Sequence, residues 1–338
     1  MLAPAAYLAW ALAGLASVVS TWAVRGLALR TGWLDLPNPL VASHTRAVAR
    51  PGGVGIALSA TGVCAYFAFM SPSRWSMSLA IPPLVPLLVP TLLFLLLGLA
   101  DDRFRLGAGQ KLSLQTVLAG VAISLGNVFP LTGIAVLDGS ISAFWIVTLV
   151  NAFNLIDVCD GLLAGLSALI LFFWGHAHAE HALPALAMAG ACGGFLVFNG
   201  PPASIFLGDS GSHFLGSALA VLTLSAAVHP GPWPRVPEAL LLAGVPLFEL
   251  AFLTLVRTRK GLKCWLGSPD HAALRLQAAG LTQLATDLVI WAAAALLLGI
   301  AAALVRVSLA GQIGLLLCAA ASMLVWSRLL LRWEVSQR

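Results

Sequence analysis

The sequence of 338 residues predicts an all-α fold, a polytopic integral membrane bundle of about 11 transmembrane helices with the N-terminus outside and the C-terminus inside. Three observations predict it. With 60% hydrophobic and 9% charged residues, the chain cannot cover a water-exposed surface. Apolar runs such as Ile81 to Ala100 and Ile290 to Leu304 approach the length needed to cross the hydrocarbon core, about 20 residues. When the runs alternate in direction, only Arg74, Arg235 and Arg306 fall outside, and the remainder of the 18 Lys and Arg fall inside, as positive charge at inner span ends requires.

Apolar runs read against interrupting charge, Pro and Gly place helices near 5–25, 53–71, 79–99, 112–128, 141–156, 161–178, 183–199, 213–229, 237–256, 286–305 and 309–330. The first lacks a basic leader and an Ala-x-Ala-like site, so it reads as a helix that stays. The third closes on Asp101-Asp102 ahead of Arg103, Arg105 and Lys111, the sixth opens after Asp160-Gly161, and the eighth opens after the glycine-bracketed Asp209. Trp22, Trp75, Trp145, Trp233 and Trp333 sit near span ends, where interfacial anchoring accounts for them. No soluble domain remains: residues 1–338 read as a single membrane domain with inner loops near 26–52, 100–111, 151–161, 200–212 and 257–285. Cys64, Cys159, Cys192, Cys264 and Cys318 form no CxxC pair, which argues against a disulfide framework or a zinc site. The net charge of +5 is dispersed between spans and gives no patch for nucleic acid.

Acidic residues are the more informative charges. Asp35, Asp101, Asp102, Asp157, Asp160, Asp209, Asp270, Asp287 and Glu334 fall inside, although acids contribute little to orientation. Topology does not ask for them there, whereas a site for a cation and a phosphate does. Magnesium prefers carboxylate oxygen and keeps substrate phosphates in its shell. Solvated helix caps are the plainer alternative.

Three segments concentrate these acids. In Gly98-Leu99-Ala100-Asp101-Asp102 two neighbouring carboxylates repel, so a metal or a Lys must stabilise them or one proton is retained. In Asn151-Ala-Phe-Asn154-Leu-Ile-Asp157-Val-Cys-Asp160-Gly161 a polar residue recurs at every third position, and Val158-Cys159 reads as a helical turn. A capping role for Asp160 is the alternative there. In Phe206-Leu207-Gly208-Asp209-Ser210-Gly211-Ser212 an acid lies between two glycines at a span start, where exposed N–H groups can approach a phosphate.

Together these residues resemble the polyprenyl-phosphate N-acetylhexosamine-1-phosphate transferase family, on its undecaprenyl-phosphate GlcNAc-1-phosphate transferase side. The resemblance is carried by Leu97 through Leu106 with Lys111, Leu112 and Gln115, by Asn151 through Asp157 with Asp160-Gly161-Leu162, and by Phe206 through Ser212. A weaker match is His44 with Arg50-Pro51-Gly52-Gly53, where Ala47 and Ala49 replace two prolines usual in the family. The resemblance implies a bacterial inner-membrane enzyme with its site on the cytoplasmic face, a UDP-N-acetylhexosamine donor, a polyprenyl phosphate acceptor in the bilayer, and Mg2+. It implies Asp209 and Asn154 as metal-side residues and Asp101, Asp102 and Asp209 as the catalytic acids. Lys111 becomes a phosphate or carboxylate partner, and Asp157 and Asp160 become substrate-positioning groups. His271 and Arg275 in Ser268-Pro269-Asp270-His271 become donor-diphosphate contacts, although relatives carry more histidines in this loop. A homodimer is left open, as is a two-step route through an aspartyl phosphate.

Two rivals share part of this pattern. A secondary transporter would place its polar groups near midmembrane, whereas these motifs cluster at one face. A phospho-muramyl-pentapeptide transferase belongs to the same family, and the single His271 argues against it. His176, His178, Glu180 and His181 carry metal-ligand chemistry but fall at the opposite face, where a polar loop suffices. Glu249 is an acid within a span, for which function and a structural hydrogen bond are equal readings. His213 reads as a polar neighbour.

Overall fold

The computed structural model describes residues 4–36, 46–70, 84–226, 235–263, 265–304, 306–333 and 335. His44, Arg74, Trp75, Trp233, Cys264 and Glu334 fall outside the described residues. The sequence reading treats 1–338 as one domain; the chain divides into two compact units, Met1–Pro232 and Trp233–Arg338.

The first unit holds α1 (Pro4–Thr31), β1 (Leu34–Asp35), β2 (Val48–Ala49), α2 (Gly53–Met70), α3 (Val85–Phe104), α4 (Ala108–Ser124), α5 (Ala135–Ile156), α6 (Leu162–Ala177), α7 (Ala182–Asn199) and α8 (Gly208–Ala226). The second holds α9 (Arg235–Leu242), α10 (Gly244–Arg259), α11 (Ala272–Ala278), α12 (Gln283–Leu304) and α13 (Leu309–Leu330). A helix falls on each of the eleven expected segments. Among the described residues, seven helices are long and apolar enough to cross a membrane, and α9 with α10, bent by 73°, forms an eighth if counted as one span. The helices α4 and α6 are shorter, at 17 and 16 residues.

Local signals explain where the boundaries differ from expectation. Helix α1 runs past Arg25 to Thr31, since Arg is a good helix former, and ends where Gly32 adopts φ +69°. Helix α5 starts at Ala135 rather than 141 because Asp138 accepts from the backbone N–H groups of Leu131, Thr132 and Gly133, which fastens the preceding loop to its first turn. Among the described residues the α class admits one two-stranded antiparallel ribbon, with Leu34 opposite Ala49 and Asp35 opposite Val48.

Helix α8 is the core of the first unit: Phe214, Leu215, Ala218, Leu222 and Leu224 are fully buried, and α2, α3 and α5 pack around it. Lipid tails are as apolar as Leu, so helices here associate through close packing rather than through exclusion of water. Helix α1 accordingly buries a small-residue stripe spaced by one helical turn, Ala6, Ala9, Ala13 and Ser17 on the side packed on α7 and Thr21 against Gly55 of α2. Gly190 and Gly194 of α7 meet the carbonyl oxygens of Trp10 and Gly14 there.

In the second unit Arg275 is buried, 1% exposed. Its guanidinium donates to Asp270 Oδ1 at 2.6 Å, to the Asp270 carbonyl at 3.1 Å, and to the carbonyls of Leu330 and Trp333 at 3.2 and 2.8 Å. Lys260 adds a second cation to Asp270 at 2.7 Å. These bonds tie α11 to the end of α13.

Candidate active site

Four helix termini bring the acids of the first unit together. Helix α3 ends on Asp101 and Asp102, α5 presents Asn154 in its last turn with Asp157 just beyond, α8 opens on Gly208 and Asp209, and α4 contributes Lys111 from its first turn. The close approach of α3 to α8 depends on Gly98, where a Cβ would collide with the Asp209 carbonyl. Gly208 has φ +75°, and a Cβ there would meet the Asp102 carboxylate at 2.7 Å.

Asp209 is the centre of this arrangement. Lys111 Nζ donates to its Oδ2 at 2.9 Å, and Asn154 Nδ2 donates to its Oδ1 at 2.7 Å. Lys111 also pairs with Asp101 Oδ2 at 2.5 Å, so one ammonium bridges the two carboxylates. Asn154 donates in addition to Ser212 Oγ at 3.1 Å.

The neighbouring acids Asp101 and Asp102 are separated by what binds them. Asp101 faces Lys111, and its Oδ1 accepts the Leu106 N–H at 2.8 Å. Asp102 accepts the N–H groups of Asp209 and Ser210 at 3.0 and 3.1 Å and lies 3.6 Å from Arg50. The expectation that the first N–H groups of α8 are open to a phosphate is corrected for two of them: Asp102 accepts those of Asp209 and Ser210 and cancels part of the positive end of the helix.

The stretch Asp157–Gly161 is also corrected. It is a turn outside α5 rather than helix, because Gly161 takes φ +80° and its N–H is held by Asn199 Oδ1 at 3.0 Å. Asp160 does not cap α6; its Oδ2 accepts the Ala203 N–H at 2.9 Å and holds the 200–207 loop. Burial pushes the Asp157 carboxyl up to about 8, with the charges of Asp209, Asp102 and Asp160 adding to the shift and Arg50 opposing it.

Behind the site, a buried amide–imidazole chain sets the helices in register. Asn151 donates to Gln115 Oε1 at 2.7 Å, Gln115 Nε2 meets His213 Nε2 at 3.1 Å, and His213 Nδ1 lies 2.6 Å from the Asp209 carbonyl. With Gln115 as the donor, the imidazole is neutral and carries its proton on Nδ1. His213 is thus a polar neighbour that fixes the first turn of α8.

His271 and Arg275 belong to the second unit. His271 Nδ1 bonds Glu249 Oε1 at 2.9 Å, and Glu249 also accepts the Ala272 N–H at 3.3 Å, which gives the intraspan acid two partners. Arg275, implied by resemblance to contact the donor, has four of its hydrogen bonds inside its own unit.

Sequence reasoning gave no role to Arg50, although Arg-Pro-Gly-Gly was visible as a motif. The ribbon places Arg50 beside Asp35 and Asp102, at 3.5 and 3.6 Å. A cavity of about 520 Å³, lined in part by Trp33, Asp102, Arg103 and Arg105, opens on the same acid.

Among the described residues, no three His, Cys, Asp or Glu side chains are grouped to hold a metal ion by themselves. The donor set nevertheless fits magnesium, which takes one or two protein carboxylates and completes its shell with water and substrate phosphate. Asp209 would supply the carboxylate, and the Asn154 amide, bound through its nitrogen, leaves its oxygen without a hydrogen bond.

Comparison with known proteins agrees with this constellation. The family model for Glycosyl transferase family 4 matches residues 84–227, the segment that contains all three motifs. The chain is 31% identical over 307 residues to a decaprenyl-phosphate N-acetylglucosaminephosphotransferase of Mycobacterium tuberculosis, covering 78% of this chain and 74% of the relative. It is 32% identical over 242 residues to an undecaprenyl-phosphate alpha-N-acetylglucosaminyl 1-phosphate transferase of Thermotoga maritima, covering 70% and 69%. A phospho-N-acetylmuramoyl-pentapeptide-transferase of Moorella thermoacetica is 36% identical, over 186 residues that cover 45% of this chain and 58% of the relative. Two long matches to enzymes of one kind, and motifs that converge on one bridged carboxylate, lead to the same place: the chain belongs to the polyprenyl-phosphate N-acetylhexosamine-1-phosphate transferase family.

Proposed function

We propose that this protein transfers an N-acetylhexosamine 1-phosphate from a UDP-sugar to a polyprenyl phosphate, the first membrane step of a bacterial cell-surface glycan. The observation that carries the reading is Asp209, bridged by Lys111 to Asp101 and held by Asn154 on its other oxygen. Oxygen of the acceptor phosphate attacks the phosphorus next to the sugar, the bond between the two donor phosphorus centres' bridging oxygen and that phosphorus breaks, and UMP leaves. The phosphate's second pKa is near 6, so a base need remove only a fraction of its protons.

The residues divide as follows. Asp101 accepts the acceptor proton, and Lys111 holds Asp101 and Asp209 together against their mutual repulsion. Asp102 positions the first turn of α8 through its two N–H contacts. Asp157 and Asp160 shape the donor side, Asp160 by holding the Ala203 N–H. Asp209 and Asn154 would hold Mg2+, which supplies charge stabilisation on the diphosphate. The donor dissolves in the cytosol and the acceptor lies in the bilayer, so the site belongs at the cytoplasmic face. A topology of eleven spans with the N-terminus outside would put every motif there, and the Lys and Arg distribution supports that orientation.

The test uses purified protein, polyprenyl phosphate and a panel of UDP-sugars labelled at the phosphorus next to the sugar. Labelled diphosphate lipid, UMP release and loss of both with EDTA are expected. Release of UDP with unlabelled lipid would overturn the reaction class, and uptake without conversion would favour a transporter.

A further inference from the structure

A phosphate entering this site meets the carboxylates of Asp35, Asp101, Asp102, Asp157 and Asp209, so it needs a cation whose donors are not already taken. Lys111 is engaged by two carboxylates at 2.5 and 2.9 Å. Arg50 differs. Its contacts with Asp35 and Asp102, at 3.5 and 3.6 Å, are charge contacts too long for good hydrogen bonds. Its Nε is buried without a hydrogen-bond partner, while a third of the side chain, 33%, stays exposed.

The backbone around Arg50 is fixed. Its own N–H donates to the Trp33 carbonyl at 3.1 Å, and the N–H groups of Gly52 and Gly53 donate to the carbonyls of Phe206 and Leu207 at 2.8 and 2.9 Å. Asp102, its acidic neighbour, is locked by the first turn of α8. A guanidinium is thus held beside Asp35 and Asp102 by hydrogen-bonded backbone and by charge, with its hydrogen-bonding capacity uncommitted. The planar fork of Arg matches two phosphate oxygens at once, and charge-assisted bonds of this kind are the strong ones.

We infer that Arg50 is a phosphate-binding residue of the transfer site, exchanging its long contacts with Asp35 and Asp102 for direct bonds to phosphate oxygens of a substrate. The inference rests on the proposed reaction for the identity of the two phosphates on offer, the donor's diphosphate and the acceptor's monophosphate. A purely structural Arg50 would instead clamp the ribbon to α3.

Direct binding separates these readings without requiring turnover. UDP-N-acetylglucosamine and uridine form one pair of ligands, and a short-chain polyprenyl phosphate and its parent alcohol form the other. Each is titrated into the wild-type protein, Arg50→Ala and Arg50→Lys. Expected is a loss of at least about tenfold for one phosphate ligand in Arg50→Ala, a smaller loss in Arg50→Lys, and unchanged affinity for uridine and the alcohol. Loss confined to the nucleotide sugar assigns the diphosphate, and loss confined to the lipid assigns the monophosphate. Wild-type affinity for both phosphate ligands, or a parallel loss for uridine and the alcohol, overturns the inference. Should Arg50→Ala fail to fold, Arg50→Lys carries the same outcomes. Failure of the reaction itself is seen separately, as absence of UMP with the wild-type protein.

Discussion

At Asp209 the two carboxylate oxygens have different partners, Lys111 on one and the Asn154 amide on the other. Asp209→Asn keeps the shape but removes the charge that holds Lys111 and would hold magnesium, so turnover should fall at least about a hundredfold while the protein stays folded. Rates near wild type at limiting magnesium would refute the metal assignment. Asp157 calls for a different outcome because burial, then the charge of Asp209, pushes its carboxyl up to about 8. An acid raised in the folded state keeps its proton while the unfolded chain ionises, near pH 3.9. Its stability contribution is therefore complete below about pH 4 and is lost progressively as pH rises to the folded value of about 8. In metal-free protein, Asp157→Asn should flatten the decline of thermal stability between about pH 5 and pH 8, and melting curves across that range with the same slope as wild type would contradict it. The acids themselves were readable in the sequence, since an apolar chain has little other reason to gather them. Their division of labour was not: Asp101 and Asp102 are adjacent, yet only the fold shows that one faces an ammonium and the other two backbone N–H groups.

At the scale of elements, apolar length located the helices, and tertiary partners decided where several of them begin and end. The Asp157–Gly161 turn resembles a polar helical stripe until Asn199 and Ala203, about 40 residues away, hold it out of the helix. Asp138 similarly adds a turn to α5 by binding the Leu131–Gly133 loop ahead of it. The crossing of α3 with α8 depends on Gly98, and a methyl group there must push α8 and Asp209 aside. Gly98→Ala should cut activity by about tenfold or more, with a smaller effect on substrate-free stability than on rate, because a shift of about 1 Å is enough to spoil positioning. An equal rate would show that the helix ends tolerate displacement. In the second unit, Asp270→Asn leaves Arg275 buried with weakened pairing, and loss of one partner of a buried pair costs about 3–5 kcal/mol. The melting temperature of that variant in detergent checks it, and an unchanged value would mean that the Leu330 and Trp333 carbonyls suffice.

For the whole molecule, the asymmetry of Lys and Arg was legible in the sequence, whereas the break at Ala243 between α9 and α10 was not, since Gly244 and Pro246 lie inside an otherwise continuous apolar run. That break matters for topology: a pair of helices bent by 73° can cross as one span or return to the side it entered. If α4 through α8 cross in alternation and α9 with α10 crosses once, Arg103 and Lys263 share the cytoplasmic face, while Ile134 and Val307 lie outside. All four side chains are exposed, so each can be replaced singly in a background lacking Cys64, Cys159, Cys192, Cys264 and Cys318. In sealed cells an impermeant maleimide should label Ile134→Cys and Val307→Cys at once, and Arg103→Cys and Lys263→Cys only after permeabilisation. Labelling of Arg103→Cys from outside would reverse the orientation and deny the site its cytosolic donor. Labelling of Lys263→Cys from outside with Arg103→Cys protected would make the bent pair re-entrant, and His271 would then face the wrong compartment to meet a nucleotide sugar.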